Sequence, residues 1–138
     1  LSYIFNKVND PNVKIDRPMQ GQSPYVINGS LQYDIGKAGI STTLLFNQVG
    51  RRILYVGNEQ VPEIWENARP LLDFQIAKKV LNNKGDIRLN ISDIFNKRAY
   101  FYHDVDKSKN LKLGSTDVIA ISRNYGTTVS ISFGYSIK

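Results

Sequence analysis

The single histidine, His103, stands in "FYHD" and runs directly into "DVDKSKN", residues 104 to 110. This second stretch has the D-x-D-x-S-x-N spacing with which a calcium loop turns alternate oxygens toward a hard cation. Its sixth position is Lys109, where such loops use glycine, and its twelfth is Ser115, where they use a bidentate glutamate. A solvated loop is the reading that follows. One histidine excludes a multi-histidine metal site, and zero cysteines exclude thiolate ligands, disulfides and a cysteine nucleophile. The sequence holds no G-x-S-x-G, phosphate loop or H-E-x-x-H. His103 reads as a loop or rim residue, and Trp65, with Glu63 and Glu66, as a wedge packed on neighbouring loops. These residues predict neither catalysis nor a cofactor.

The elements that would carry these residues are strands. Apolar residues make up 41% of the 138 and charged residues 22%, which excludes a disordered chain. No apolar run approaches the roughly 20 residues of a transmembrane helix, a test that membrane β-strands escape because half of each is polar. The net charge of +6 comes from 18 Lys and Arg against 12 Asp and Glu. These charges are scattered, with only Arg51-Arg52, Lys78-Lys79 and Lys97-Arg98 adjacent, so no nucleic-acid partner is expected. The sequence opens on Leu1 without a signal-peptide pattern, as a piece of a longer chain would.

Six segments alternate with the period-two pattern of a strand. They are "LSYIFNK" (1 to 7), "YVINGSLQYDI" (25 to 35), "ISTTLLFNQVGRRILYV" (40 to 56), "LLDFQIAKKV" (71 to 80), "DIRLNI" resuming through "AYFYH" (86 to 103), and "GTTVSISFGYSIK" (126 to 138). Gly50 is a natural place for a bulge in the third. One helical turn is expected around Glu63 to Glu66. Ile27, Leu31, Leu44, Phe46, Leu72, Phe74, Ile76, Leu89, Val129, Ile131, Phe133 and Tyr135 form the apolar sides. Asn28, Ser30, Gln32, Asp73, Gln75, Arg88, Asn90, Ser130 and Ser132 form the polar sides. Tyr25, Tyr33, Tyr55, Phe95 and Tyr135 lie near strand ends, where interfacial girdles and ordinary cross-strand packing both place aromatics.

The connections alternate in length: long (8 to 23), short (36 to 39), long (57 to 70), short (82 to 85), long (104 to 124). That is the layout of an all-β, up-and-down antiparallel meander of about six strands, as in outer-membrane barrels with short periplasmic turns and long outside loops. Counting back from the last strand, the C-terminus falls on the periplasmic side. A tilted strand crosses an apolar band of about 25 Å in roughly ten residues. Counted from Ile40, such a band ends at Gly50, immediately before Arg51-Arg52. Lys78 shares an apolar side but lies four residues before a turn, where it can snorkel to the interface. The polar sides would then line the lumen and the apolar sides would face lipid.

At "RPMQGQSPYVINGSLQYD" the sequence resembles the C-terminal barrel strands of TonB-dependent outer-membrane receptors of the Bacteroidetes type. The likeness continues through "VGRRI", "PEIWENARPLLDFQIAKK" and "LNISDIFNK" to the closing strand, and covers residues 17 to 138 in order. The resemblance implies a large, plugged transmembrane β-barrel of a Gram-negative outer membrane that imports a scarce small ligand with energy passed on by TonB. It makes residues 1 to 138 the C-terminal portion of that barrel, with the plug, the TonB-contacting segment and earlier strands outside this chain. Its partners would be outer-membrane lipid and the assembly machinery, which would read Phe133, Gly134, Tyr135 and Ile137. Such chains usually end on an aromatic residue, whereas this one ends Ile137-Lys138.

The rival from another class is a soluble antiparallel barrel or sandwich that binds glycan or nucleic acid. The two part on one observable. A soluble module buries the apolar side of residues 129 to 137 under a second layer, and a membrane wall leaves it bare.

Overall fold

The computed structural model describes residues 18–58, 60–106, 108, 110–114 and 116–136, together with the backbone of three short strand pieces before them. Those pieces are β1 (Ser2–Tyr3), β2 (Val8–Asn9) and β3 (Asp16–Arg17). Then follow β4 (Tyr25–Ile35), β5 (Ile40–Val49), β6 (Arg52–Tyr55), β7 (Ile64–Glu66), β8 (Arg69–Val80), β9 (Gly85–Ser92), β10 (Ala99–His103), β11 (Val118–Arg123) and β12 (Thr128–Tyr135). The main sheet has the order β1-β4-β5-β8-β9-β12, which is the expected six-strand meander. Most of the first predicted strand, along with Ile137 and Lys138, lies outside the described residues.

The second sheet has the order β11-β10-β7-β6. It uses the chain segments of β12, β9, β8 and β5 in the same succession, because β6 follows β5, β7 precedes β8, β10 follows β9 and β11 precedes β12. Two of the long connections therefore carry hairpins of their own, with tips at 56 to 63 and 104 to 117. This corrects two expectations. Residues 64 to 66 are strand rather than a helical turn, because Trp65 is paired on both sides, to Ile53 and to Tyr102. The connection 104 to 124 also contains a strand, β11, paired with β10.

By contacts the chain forms two compact units. One comprises residues 28–47, 70–97 and 125–138. Its register arranges side chains in rows: Phe74-Ile91-Val129, Ile76-Leu89-Ile131 and Lys78-Ile87-Phe133 on one face. Gln75-Asn90-Ser130 and Ala77-Arg88-Ser132 lie on the other. Val129, Ile131, Phe133 and Tyr135 are 60%, 75%, 60% and 54% exposed, so no described layer covers the apolar face. Leu31 and Leu44 are also exposed, while Ile27, Phe46, Leu72, Phe74, Ile76 and Leu89 are half-buried. None of the described helical segments is long and apolar enough to cross a membrane.

The short turns have specific chemistry. Gly36–Ala38 is a single 3-10 turn ended by Gly39 at φ 61°, whose carbonyl accepts from the Lys79 N–H at 2.8 Å. Leu81, Asn82 and Asn83 all have positive φ, a conformation asparagine tolerates better than leucine does. At the far end of β9, Asp93 is left-handed (φ 54°), and its N–H donates to Asp73 Oδ1 at 2.8 Å. Its carbonyl accepts from Thr127 Oγ1 at 2.9 Å. The "SDIFNK" interruption is thus a built kink that ties β9 to both neighbours.

The other unit comprises residues 1–27, 48–69 and 98–124. Its core is Ile53, Trp65 and Tyr102, with Val56 and Leu111 packed against it. The expected bulge at Gly50 appears as the break between β5 and β6. A side chain there would meet Ser23 Oγ at 2.7 Å and the Tyr25 ring at 2.7 Å, and the Gly50 N–H donates to the Tyr25 carbonyl at 3.0 Å. Gly50→Ala should therefore cost about 1–3 kcal/mol by overpacking, read as a lower midpoint of denaturant unfolding. Gly29→Ala, in open space on β4, should leave that midpoint nearly unchanged.

Candidate functional site

Arg51 is the hub of the loop-bearing unit. Its guanidinium lies 3.8 Å from the centroid of the Trp65 ring, and its Nη1 donates to Asp104 Oδ2 at 2.8 Å and to Tyr102 Oη at 3.4 Å. The two charged side chains are 16% and 5% exposed, so the pair is largely removed from water. A desolvated cation over an indole is worth up to roughly 2 kcal/mol. Each partner is placed by a strand: Gly50 ends β5 just before Arg51, β7 presents Trp65, and β10 carries Tyr102 and leads into Asp104. Arg52, on the opposite side of β6, pairs its Nε with Glu66 Oε2 at 2.6 Å in a more exposed bridge. Burial pushes the Tyr102 phenol above its usual range, and the Arg51 guanidinium offsets part of that rise.

The residues that suggested chemistry are used to hold structure. His103 Nδ1 lies 3.0 Å from the Glu63 carbonyl, an acceptor, which assigns the proton to Nδ1. Trp65 is buried in the core, as expected of a wedge. The "DVDKSKN" loop folds on itself: the Ser108 N–H donates to Asp106 Oδ1 at 2.9 Å, and Ser108 Oγ donates to the Asn110 carbonyl at 3.0 Å. Lys107, Lys109 and Ser115 lie outside the described residues.

Structure adds Asp117, which no spacing indicated. Asp104, Asp106 and Asp117 each bring a carboxylate oxygen within 4.8 Å of the others. The cause is the hairpin register, since His103 pairs with Val118 and so sets Asp104 beside Asp117 at the mouth of the loop. Among the described residues this is the group whose hard oxygens could hold a cation such as calcium. Protein cations already serve two of the three, with Arg51 on Asp104 and Lys112 Nζ on Asp106 at 2.9 Å. The Lys112 N–H donates to Asp117 Oδ2 at 2.9 Å. Ser108 and then Lys112 hold the Asp106 carboxyl well below the usual carboxylate range, and Asp106 in turn raises the Lys112 ammonium.

Several of the predicted polar residues bond to neighbours in the same sheet, and two of them, Asn90 and Ser130, to each other. Asn47 donates to Asn28, Gln32 donates to Asp34 Oδ2 at 3.0 Å, and Asn90 donates to Ser130 Oγ at 3.3 Å. Arg88 pairs with Asp86 at 2.8 Å opposite Ser132. The Asp73 carboxylate caps the kink at Asp93, while Ser30 is exposed and Gln75 stands opposite Asn90. On the closing strand, a side chain at Gly134 would meet Asp86 Oδ1 at 2.7 Å, so the glycine makes room for the Asp86–Arg88 pair.

A model of the outer membrane protein beta-barrel family matches residues 2–135. The chain belongs to that family. No curated protein and no solved structure matches it. Membership places the chain in an outer-membrane β-barrel, which accounts for an apolar sheet face that no described layer covers.

Removing one partner of a largely buried ion pair leaves the other charge uncompensated. Arg51→Ala should therefore lower unfolding stability by about 3–5 kcal/mol. Loss of the exposed Arg52–Glu66 bridge, in Arg52→Ala, should cost under about 1 kcal/mol. The raised Tyr102 phenol gives stability that is fully present below the ordinary tyrosine value of 10.0 and is lost as pH climbs through the raised value. In an alkaline absorbance titration, one late tyrosinate component should appear, and it should vanish in Tyr102→Phe.

Proposed function

We propose that the chain forms the C-terminal barrel strands of a TonB-dependent outer-membrane receptor, a transporter that imports a scarce small ligand without catalysing a reaction. The observation that carries this reading is the convergence of the segments with the family's likeness. From "QGQSPY", Gln20 and Gly21 bond the Leu54 and Ile53 carbonyls, while Ser23 and Tyr25 close over Gly50 of "VGRRI". Arg51 of the same motif stacks on Trp65 of "PEIWENARP". Residues distant in sequence thus make up one packed node, as expected of segments that belong to one architecture.

On this reading residues 1–138 are part of a larger barrel domain, because six meander strands are fewer than the eight of the smallest membrane barrels. The apolar rows face lipid and the polar rows line the lumen. The tight turns and the C-terminus are periplasmic, and the hairpin tips at 56 to 63 and 104 to 117 lie outside. The plug and the TonB-contacting segment belong to the rest of the protein, and the assembly machinery reads the closing strand.

Two measurements bear on this. A cation in mid-bilayer costs about 2–4 kcal/mol, so Ile131→Arg should sharply reduce the folded barrel recovered from outer membranes, whereas its neighbour Ser132→Arg should not. Equal yields would sink the assignment of faces. Ligand accumulation by cells carrying the full-length protein should cease when TonB is deleted, and accumulation that persists without TonB would overturn the transport reading alone.

A further inference from the structure

We propose that the turn-side end of the apolar face carries a site for an anionic phospholipid headgroup, with Lys78 as its phosphate contact. The inference rests on reading that face as the lipid-facing wall and adds a specific lipid to it. The register places Lys78 across from Ile87, which in turn faces Phe133. The rows on one side are Ile76-Leu89-Ile131 and Phe74-Ile91-Val129, and on the other side lies Val80-Gly85-Tyr135. In the paired rows of this face across β8, β9 and β12, Lys78 is the one charged side chain. It is exposed, and no described carboxylate forms a salt bridge with it.

Its surroundings have the form of an amphiphile site. Phe133, Tyr135, Ile87 and Leu81 are all exposed around it. At Gly85 a side chain would meet Val80 Cγ2 at 3.1 Å and Phe133 Cε2 at 3.4 Å, so the glycine lets Val80 and the Phe133 ring close over the strand beside Tyr135 as one apolar surface. A lysine at the rim of an apolar surface lays its stem along that surface and sends its ammonium to the headgroup level. The turn end as a whole is cationic. Lys37 and Lys84 flank Lys78 in the two turns, while Lys79, Asp86 and Arg88 belong to the opposite face, where Arg88 takes Asp86. Free phosphate would satisfy only the ammonium. An anionic phospholipid satisfies both the ammonium and the apolar rows beside it, which commits the site to lipid.

The test places a fluorophore in the row of Lys78 with Phe133→Trp in the full-length protein, reconstituted in vesicles that contain brominated phosphatidylglycerol or brominated phosphatidylcholine. The emission specific to the variant should be quenched with a roughly fivefold preference for phosphatidylglycerol, the size expected for one lysine at an anionic surface. Lys78→Gln should bring the two lipids to parity, and Lys78→Arg should keep the preference, also in the presence of excess inorganic phosphate. Parity in the parent, a preference that survives Lys78→Gln, or displacement by inorganic phosphate would overturn the site while leaving the barrel reading intact. Absence of quenching by either brominated lipid would overturn both.

Discussion

Register is the constraint on which the rest of this structure depends. In a sheet whose two faces differ, a slip of one residue exchanges the apolar and polar sets. Inside hydrocarbon a backbone group left unpaired by such a slip costs several kcal/mol. The chain fixes register at both ends of its strands. At the turn side, Lys79 is bonded to Gly39 and Ser136 to Lys84. At the other end, the left-handed Asp93 links to Asp73 on one neighbouring segment and to Thr127 on the other. Gly134 opposite Asp86 belongs to the same scheme, because a side chain there would displace the Asp86–Arg88 pair from its row.

The loop-bearing unit is organised differently. It is held by a small core and one largely buried ion pair. Arg51 satisfies Asp104 and Tyr102 while its flat face lies on Trp65, so a single side chain ties together β7, β10 and the break after β5. Arginine suits this position because its guanidinium donates in plane and stacks out of plane at once, which a lysine ammonium does not do. The acidic loop is anchored to the same hub through Asp104, and Lys112 supplies further positive charge at Asp106. Its fold is thereby coupled to the node.

Much of the wall was legible in the sequence. Period-two alternation located the strands of the main sheet from β4 to β12, and the turn chemistry of "GKAG" and "NNKG" located the short connections. Gly50 was readable as a break because glycine inside a strand marks a bulge or a close approach. The buried role of Trp65 was also expected. The strand at Ile64–Glu66 was missed because three residues are too few to show a period, and pairing with Ile53 and Tyr102 decides their conformation. β11 was missed because the polar stretch before it, "GSTD" included, reads as one continuous loop into which a run of only six residues is absorbed. Asp117 was invisible to any spacing rule, since it joins Asp104 only through the β10–β11 register.

The sequence by itself determined where the main strands and tight turns lie and which side of each strand is apolar. Both are local properties, carried by alternation and by the lengths of the connections. Only the tertiary structure decided that two long connections carry paired strands, that Arg51 selects Trp65, Tyr102 and Asp104 as partners, and that the three aspartates meet. Those outcomes depend on which strands pair and in what register. Pairing is a contact between residues far apart in the chain, and no local pattern encodes it.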